Sequence, residues 1–213
     1  RTAARSGDVL IFAAIKMLPQ NSLILEGIVT TQNADGSTNI SPMGPIVDRA
    51  ITRMRLRPFQ TSTTYSNLKA RGQGVFHVTD DVELFARAAT GILDLPELRA
   101  AEKVPGMILA DACRWYEFEV DSIDESNARA EIDARIVSGG KGRDFFGFNR
   151  AKHAAIEAAI LATRVGITPA DEILAELTRL AVPVEKTAGD EELRAFRLLE
   201  EYIREYIREK PKK

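Results

Sequence analysis

The chain has 213 residues, 45% of them hydrophobic, which is enough for one large domain or for a core domain with a small appendage. Its 29 Lys and Arg residues against 31 Asp and Glu residues leave a formal net charge of -2, so no global field favours nucleic acid or a membrane surface. One cysteine, Cys113, and two histidines exclude a disulfide scaffold and a cysteine-rich metal site, so we expect a cytoplasmic protein without a metal.

The first 20 residues are predicted to form an N-terminal extension. Their apolar run, Val9 to Leu18, is too short to span a bilayer and is interrupted by Lys16. The alternative is that this run is the remnant of a longer targeting signal.

A β-hairpin is predicted next. Ser22 to Gln32 is rich in β-branched and apolar residues. A turn signal at Asp35 and Gly36 follows, and a second short strand ends at Pro42.

The following strand, Ile51 to Arg57, carries a row of arginines. Side chains on a strand point alternately to opposite faces, so Met54 and Leu56 share one face and the arginines share the other. The row consists of Arg53, Arg55 and Arg57.

Four consecutive hydroxyl side chains precede a short predicted helix that ends at Gly72. They are Thr61, Ser62, Thr63 and Thr64, which we call the hydroxyl turn. One interpretation is an N-cap with neighbouring turn hydroxyls. The other is a phosphate cradle, because a helix N-terminus presents free N–H groups, and Arg55 and Arg57 supply charge and bidentate geometry. A solvated sheet face is the alternative for the arginine row by itself.

The middle of the chain predicts a strand, a helix and a long hairpin. The strand is Val75 to Thr79, and Asp80 with Glu83 predicts a capped helix that ends near Gly91. Alternation in "RWYEFEVDS" and "ARAEIDARIV" predicts two antiparallel strands. The sequence "SGGKGRD" after them is predicted to be a flexible basic loop.

From Asn149 the hydrophobic period becomes helical. Asn149 is expected to cap a helix that ends before Gly166. The apolar stripe of this helix is predicted to comprise Ile156, Ala159, Ile160 and Thr163.

Two further helices are predicted. The first begins with Thr168 as cap and Pro169 at the first helical position, and it breaks at Pro183. The second starts near Asp190, and its apolar stripe from Leu193 to Ile207 needs a partner surface.

Two ordered segments, "SPMGPIV" and "TSTTYSNLKARGQGVFHVTDD", resemble the FMN-binding split-barrel superfamily, which includes flavin reductases and pyridoxamine-phosphate-oxidase-like proteins. Flavin reductases carry a related T-x-x-N-[IL] pattern, matched here by Thr64, Asn67 and Leu68. The chain is most similar to an uncharacterised domain-of-unknown-function branch with a helical C-terminal part. The resemblance runs from Leu23 to about Ile207, and it departs at His77, where an asparagine is expected.

The resemblance implies an α+β fold with an antiparallel split β-barrel at residues 21–140 and a helical C-terminal subdomain at residues 141–213. It also implies a homodimer that binds FMN in the groove between its subunits. The hydroxyl turn would hold the phosphate together with Arg55 or Arg57, and Asn67 would brace that turn.

The same resemblance places further residues around the flavin. The strand end would face the isoalloxazine ring with the residues Asn39, Ser41, Pro42, Met43 and Gly44. Across the dimer, Phe145 or Phe146 would stack on the ring and Arg143 or Arg150 would contribute charge. Core packing is the alternative for the two phenylalanines.

Three functions remain open from the sequence. The first is an FMN-dependent oxidoreductase acting on a small organic substrate or a reduced nicotinamide donor. The second replaces FMN by a deazaflavin coenzyme, and the third is a flavin-binding module without turnover. Neither a Ser/His/Asp order nor Walker spacing suggests another enzyme class, which is consistent with chemistry performed by a flavin.

Overall fold

Ten strands and five helices make up the part of the chain that the structure, a computed structural model, describes, which is residues 21–209. The strands are β1 (Ser22–Ile24), β2 (Gly27–Gln32), β3 (Thr38–Met43), β4 (Ile46–Asp48), β5 (Arg53–Leu56), β6 (Gln73–Val78), β7 (Leu98–Ala100), β8 (Met107–Leu109), β9 (Arg114–Asp124) and β10 (Glu131–Lys141). The helices are α1 (Thr63–Arg71), α2 (Val82–Thr90), α3 (Arg150–Ala162), α4 (Ala170–Thr187) and α5 (Asp190–Glu209).

Eight of these strands form one curled antiparallel sheet in the order β1-β4-β5-β10-β9-β6-β2-β3, while β7 and β8 form a separate ribbon. Two register shifts in the β9–β10 pairing mark bulges, which bend a sheet. The half-barrel of strands followed by C-terminal helices confirms the predicted α+β class and split-barrel architecture. The division into domains at residue 140 stays a prediction.

The first hairpin forms as the sequence predicts. β2 and β3 pair from Gly27 opposite Met43 to Gln32 opposite Thr38, and the turn between them includes Gly36 with a φ of 88°. One detail is wrong, because the predicted first strand is two strands. Ser22–Ile24 forms the separate strand β1, which pairs with β4 at the far edge of the sheet.

The barrel interior is filled by one face of each strand. In β5, Met54 and Leu56 are buried, which confirms the predicted alternation of this strand. They pack with aromatic and aliphatic side chains from the other strands and from α1. This cluster comprises Val29, Val47, Met54, Leu56, Tyr65, Leu68, Phe76, Phe118, Ala130, Ile132 and Ala134.

The predicted hairpin of β9 and β10 is also present, but the flexible loop predicted after it is wrong. β10 continues through the first half of "SGGKGRD" to Lys141, with Gly139 opposite Tyr116 and Gly140 opposite Trp115. A Cβ at Gly140 would lie 2.1 Å from the Trp115 ring. The glycines therefore admit the aromatic side chains of the neighbouring strand.

Helix boundaries follow the predicted caps with two exceptions. Within the hydroxyl turn Ser62 is the residue that caps α1, while Asn149 caps α3 and Gly72 ends α1 in the left-handed conformation, the last two as predicted. The cap of α2 is Asp81, whose side chain accepts a hydrogen bond from the Leu84 amide, so the assignment to Asp80 is wrong. Neither Thr168 nor any other side chain caps α4, in which Pro169 occupies the N-cap position.

The predicted break at Pro183 is wrong as well. α4 runs without interruption past Pro183 to Thr187. An internal proline removes one helical hydrogen bond and costs about 3 kcal/mol. Leu177 and Val184 on either side of it are buried in the helical core, and this packing keeps the helix continuous.

The last helix finds its partner surface within the chain. Phe196, Leu199 and Ile203 of α5 are buried against α2, α3 and α4. α3 contributes a stripe of small residues to this core, namely Ala151, Ala154, Ala155, Ala158, Ala159 and Ala162. Of the stripe predicted for α3, Ala159 is buried in this core and the partly buried Ile156 packs against it, whereas Ile160 does not belong to it.

A network of ion pairs and hydrogen bonds around Asp80 joins the barrel to the helices. The Asp80 side chain is 4% exposed and pairs with Arg143, and it accepts a 2.7 Å hydrogen bond from the Phe146 amide. Lys152 of α3 donates to the Asp80 carbonyl at 2.7 Å and pairs with Glu192 of α5 at 2.8 Å. The ends of β6 and β10 are thus tied to α3 and α5. We call these residues the Asp80 junction.

The predicted N-terminal extension, with its apolar run, lies outside the described residues. Between residues 21 and 209, no helix combines the length and the apolar character needed to cross a membrane.

His77 is a fully buried ring in β6. Its Nδ1 lies 3.1 Å from the Ile28 carbonyl oxygen, and its Nε2 accepts a 3.1 Å hydrogen bond from the Leu109 amide. These partners require a neutral ring with its proton on Nδ1. Burial lowers the pKa of His77 from 6.5 to about 4, so the ring serves the fold rather than a cofactor.

We expect His77 to make the fold acid-sensitive. The imidazole of His77 binds a proton more tightly in the unfolded state than in the folded state. The contribution of neutral His77 to the free energy of unfolding is therefore fully present above pH 6.5 and is lost as the pH falls through 4, by about 3 kcal/mol at pH 4. His77→Gln should remove this pH dependence of the free energy of unfolding, and the exposed control His153→Gln should retain it. Urea unfolding at pH 7, 5.5 and 4 measures it, and identical pH profiles for parent and His77→Gln would contradict the assignment.

Candidate functional site

The hydroxyl turn divides into a cap, two surface hydroxyls and one buried hydroxyl. Ser62 Oγ accepts a hydrogen bond from the Tyr65 amide at 3.2 Å and donates to the Phe59 carbonyl at 2.7 Å, so Ser62 is an N-cap. The side chains of Thr61 and Thr63 are exposed. The capping interpretation is therefore correct for Ser62, and two hydroxyls at the start of α1 remain open to a ligand.

The buried hydroxyl belongs to a polar network that ties α1 to the first hairpin. Asn39 Nδ2 donates to Thr31 and Thr64 at 3.1 Å each. Asn67 Nδ2 donates to Thr31 at 3.0 Å and to Asn33 at 2.8 Å. Asn67 thus braces α1 against the hairpin rather than contacting the hydroxyls of the turn.

The arginine row is largely neutralised by acidic residues. Arg53 is exposed and pairs with Asp121 at 3.2 Å. Arg55 donates to both oxygens of Asp133 at 2.7 and 2.9 Å and to Glu131 at 3.1 Å. For Arg53 and Arg55, the structure thus agrees with the alternative of an ion-paired, partly solvated sheet face.

Arg57 differs from the other two arginines of the row. Its Nε is buried and, among the described residues, has no hydrogen-bond partner. A buried guanidinium N–H without a partner loses its hydration without compensation, on the order of 1 to 3 kcal/mol. An anion that accepts a hydrogen bond from this N–H would remove that cost.

Arg57 lines a cavity of about 290 Å³ between the barrel and α3. The strand end at Pro42, Met43 and Gly44 forms another wall. The remaining lining residues are Ile24, Glu26, Phe85, Ala89, Arg129, Ile156, Ala159, Ile160, Thr163 and Arg164. The stripe predicted for α3 thus faces this cavity, which we call the barrel–α3 cavity.

Positive charge dominates the barrel–α3 cavity. Arg129 lies 4.0 Å above the Phe59 ring and donates to the Arg57 carbonyl at 3.3 Å. Burial lowers the pKa of Arg129, and repulsion by Arg57 and Arg164 lowers it further. An anion in the cavity would relieve this repulsion.

One carboxylate, Glu26, lines the same cavity. A Cβ at Gly44 would lie 2.6 Å from Glu26 Oε1, so the carboxyl group of Glu26 packs closely against this glycine. Burial raises the pKa of Glu26, and Glu157 raises it further, whereas Arg57 lowers it.

The residues predicted to act across a dimer lie elsewhere on this chain. Arg143 belongs to the Asp80 junction and also pairs with Asp111 at 3.0 Å. Phe145 and Phe146 are 48% and 84% exposed, and Arg150 is exposed at the start of α3. Their contact with a flavin stays a prediction.

A larger cavity of about 600 Å³ lies beside the Asp80 junction. It is lined by both acidic and basic side chains, including Asp80, Glu83, Arg143 and Arg194. These four already form ion pairs with neighbours in the chain. The smaller barrel–α3 cavity, with its unpartnered guanidinium N–H, is therefore the better candidate for an anionic ligand.

Residues 25–143 match the family model described as the N-terminal domain of DUF447, a protein of unknown function, and residues 149–201 match the model of the remaining DUF447 region. The chain belongs to the DUF447 family. The match confirms the resemblance to a domain-of-unknown-function branch. A search of curated proteins finds no match to this DUF447 protein.

Solved structures are similar to this DUF447 protein to different degrees. An FMN-bound DUF447 protein from Methanosarcina mazei is 24% identical, with a TM-score of 0.75 over 84% of this chain and 94% of that chain. The styrene monooxygenase flavin reductase of Pseudomonas putida S12 is 13% identical, with a TM-score of 0.47 over 58% and 82%. A 2-nitrobenzoate 2-nitroreductase of Pseudomonas fluorescens is 17% identical, with a TM-score of 0.48 over 67% and 77%.

The sequence analysis did not identify three charged residues of the barrel–α3 cavity. Glu26 lies between two short strands, Arg129 lies just before β10, and Arg164 follows α3. None belongs to a local motif, and the cavity forms only when α3 packs on the barrel. The unusual Ile156 and Ile160 beside a stripe of alanines were the one available signal, since they give α3 a second apolar face.

Proposed function

We propose that this protein binds FMN in the barrel–α3 cavity and acts as an oxidoreductase on a small organic substrate or a reduced nicotinamide donor. The observation that carries the proposal is that Arg57, whose buried Nε has no partner among the described residues, lines the same cavity as the strand end at Pro42, Met43 and Gly44.

The residues fit the chemistry of FMN. A phosphate monoester is a dianion that guanidinium groups bind with charge-assisted hydrogen bonds, and Arg57 with Arg129 provides uncompensated positive charge. The exposed hydroxyls of Thr61 and Thr63 lie at the N-terminus of α1, where helix amides favour anions, but neither residue is among those that line the barrel–α3 cavity. The FMN-bound family member from Methanosarcina mazei, with the same fold, supports this choice of ligand.

The roles of the protein are to bind and orient the flavin. We assign the phosphate to Arg57 and Arg129, and the ring edge to backbone groups from Pro42 to Gly44. Ile156 and Ile160 of α3 supply an apolar wall that limits access of water. The bound flavin would supply the electron-transfer chemistry.

We further propose that the protein is a homodimer. The apolar stripe of α5 gives no support, since it is buried within the chain. Support comes instead from Phe145, Phe146 and Phe148, which are 48%, 84% and 93% exposed in one short segment, since clustered exposed aromatic side chains mark interaction surfaces.

Light scattering of the purified protein should give twice the mass of the chain. The double variant Phe146→Ser and Phe148→Ser should shift the mass toward that of the monomer, because it removes exposed apolar surface. A monomer at all concentrations of the parent protein would contradict the proposed dimer.

The deciding experiment for the ligand compares FMN with riboflavin, which lacks the phosphate. Arg57→Gln should weaken FMN binding by about 1.5 to 3 kcal/mol and leave riboflavin binding unchanged, because only the phosphate loses its charged partner. The loss should be larger at low salt. Quenching of flavin fluorescence measures both affinities.

The matched control is Arg53→Gln, which removes an exposed arginine of the same arginine row that pairs with Asp121. It should leave both affinities unchanged. Equal losses of FMN and riboflavin in Arg57→Gln would refute the phosphate assignment.

A further inference from the structure

Glu26 is an exposed residue and the one carboxylate among the residues that line the barrel–α3 cavity. It is held in the two-residue connection between β1 and β2, and its carboxyl group packs against Gly44. Among residues 21–209, no ion pair within 4 Å includes Glu26, although Arg57 lines the same cavity. Glu26 therefore faces the cavity without a committed partner.

The charges around Glu26 act in opposite directions. Arg57 after β5 favours its ionised form, and Glu157 of α3 opposes it. Arg129 and Arg164 add positive charge at the cavity, while the α2 residues that line it, Phe85 and Ala89, carry no charge. The net effect of burial and Glu157 is a raised pKa of Glu26.

A phosphate dianion at Arg57 would change this balance. It would offset the charge of Arg57, which favours ionised Glu26, and it would add negative charge to the same cavity. Like charges in one cavity disfavour joint ionisation, which raises the pKa of the group that takes up the proton. The phosphate is tied to arginines, which leaves Glu26 as the group that becomes protonated.

We propose that Glu26 takes up a proton when FMN binds in the barrel–α3 cavity, so that the affinity for FMN depends on the protonation of Glu26. This inference rests on the proposed function. Proton uptake makes the observed affinity for FMN higher at low pH and lower at high pH, by the linkage between the two binding reactions.

The variant Glu26→Gln imitates the protonated residue. At pH 8, where the parent opposes the anion with an ionised Glu26, the variant should bind FMN roughly tenfold more tightly, which corresponds to a shift of about one pKa unit on binding. The advantage of the variant should shrink as the pH falls and the Glu26 of the parent becomes protonated. Titration of the FMN phosphate itself is common to both proteins, so the difference between them isolates Glu26.

The experiment is calorimetric titration of FMN into the full-length protein from pH 5 to pH 8. At pH 7, titrations in two buffers of different ionisation enthalpy count the protons taken up. The parent should take up a proton fraction that Glu26→Gln does not, and the exposed control Glu172→Gln should behave as the parent. Riboflavin should show no proton uptake with any of them.

The outcomes separate this inference from the proposed function. FMN binding without proton uptake in the parent, or with the same pH profile in parent and Glu26→Gln, would overturn the role of Glu26 and leave FMN binding standing. If Glu26→Gln does not fold, Glu26→Ala, which also removes the titrating carboxyl group, provides the same comparison with the parent. Absence of FMN binding at every pH would overturn both proposals.

Discussion

The position of the helices, and therefore the barrel–α3 cavity, depends on the contacts that Asp80 makes with Arg143, the Phe146 amide and Lys152. Burial alone would raise the pKa of Asp80, but hydrogen bonds from Arg143 and the Phe146 amide outweigh burial and hold the pKa below its ordinary value. Removing one partner of a buried, hydrogen-bonded ion pair typically costs 3 to 5 kcal/mol. Because Lys152 continues the network into α3, the junction fixes the start of the helix that closes the barrel–α3 cavity.

From this fixed start, α3 presents two different faces. Its alanines allow close approach to α4 and α5, and its isoleucines and Thr163 line the cavity opposite Arg57 and the strand end. The two faces differ in energy. The alanine face is buried in the helical core, whereas Arg57 at the cavity has a guanidinium N–H without a partner among the described residues. Binding sites commonly retain such locally unfavourable features, which a ligand then relieves.

Much of the fold follows from local patterns in the sequence. Alternation identified the β2–β3 and β9–β10 hairpins, and cap residues such as Ser62 and Asn149 marked where helices begin. The errors arose where distant packing overrides a local signal. Pro183 lies within a continuous helix because buried neighbours hold it there, and Gly140 is in a strand because Trp115 needs the space.

The candidate site was less accessible from the sequence than the fold. Local reasoning selected Arg57 and the strand end but could not separate Arg57 from Arg55, whose partner Asp133 is 78 residues away. For the same reason the pattern T-x-x-N identified Asn67 but not its bonds to the first hairpin. The role proposed for Glu26 depends on Gly44 and Arg57, which the folded barrel brings to the same cavity.

The central claim is that the barrel–α3 cavity, and not the larger cavity beside the Asp80 junction, receives the flavin. A crystal structure of the protein grown with FMN tests it most directly. Our account predicts the phosphate within hydrogen-bonding distance of the Arg57 guanidinium and the ring against Pro42 to Gly44. FMN bound beside Arg143 and Asp111, with the Nε of Arg57 still unpartnered, would contradict it.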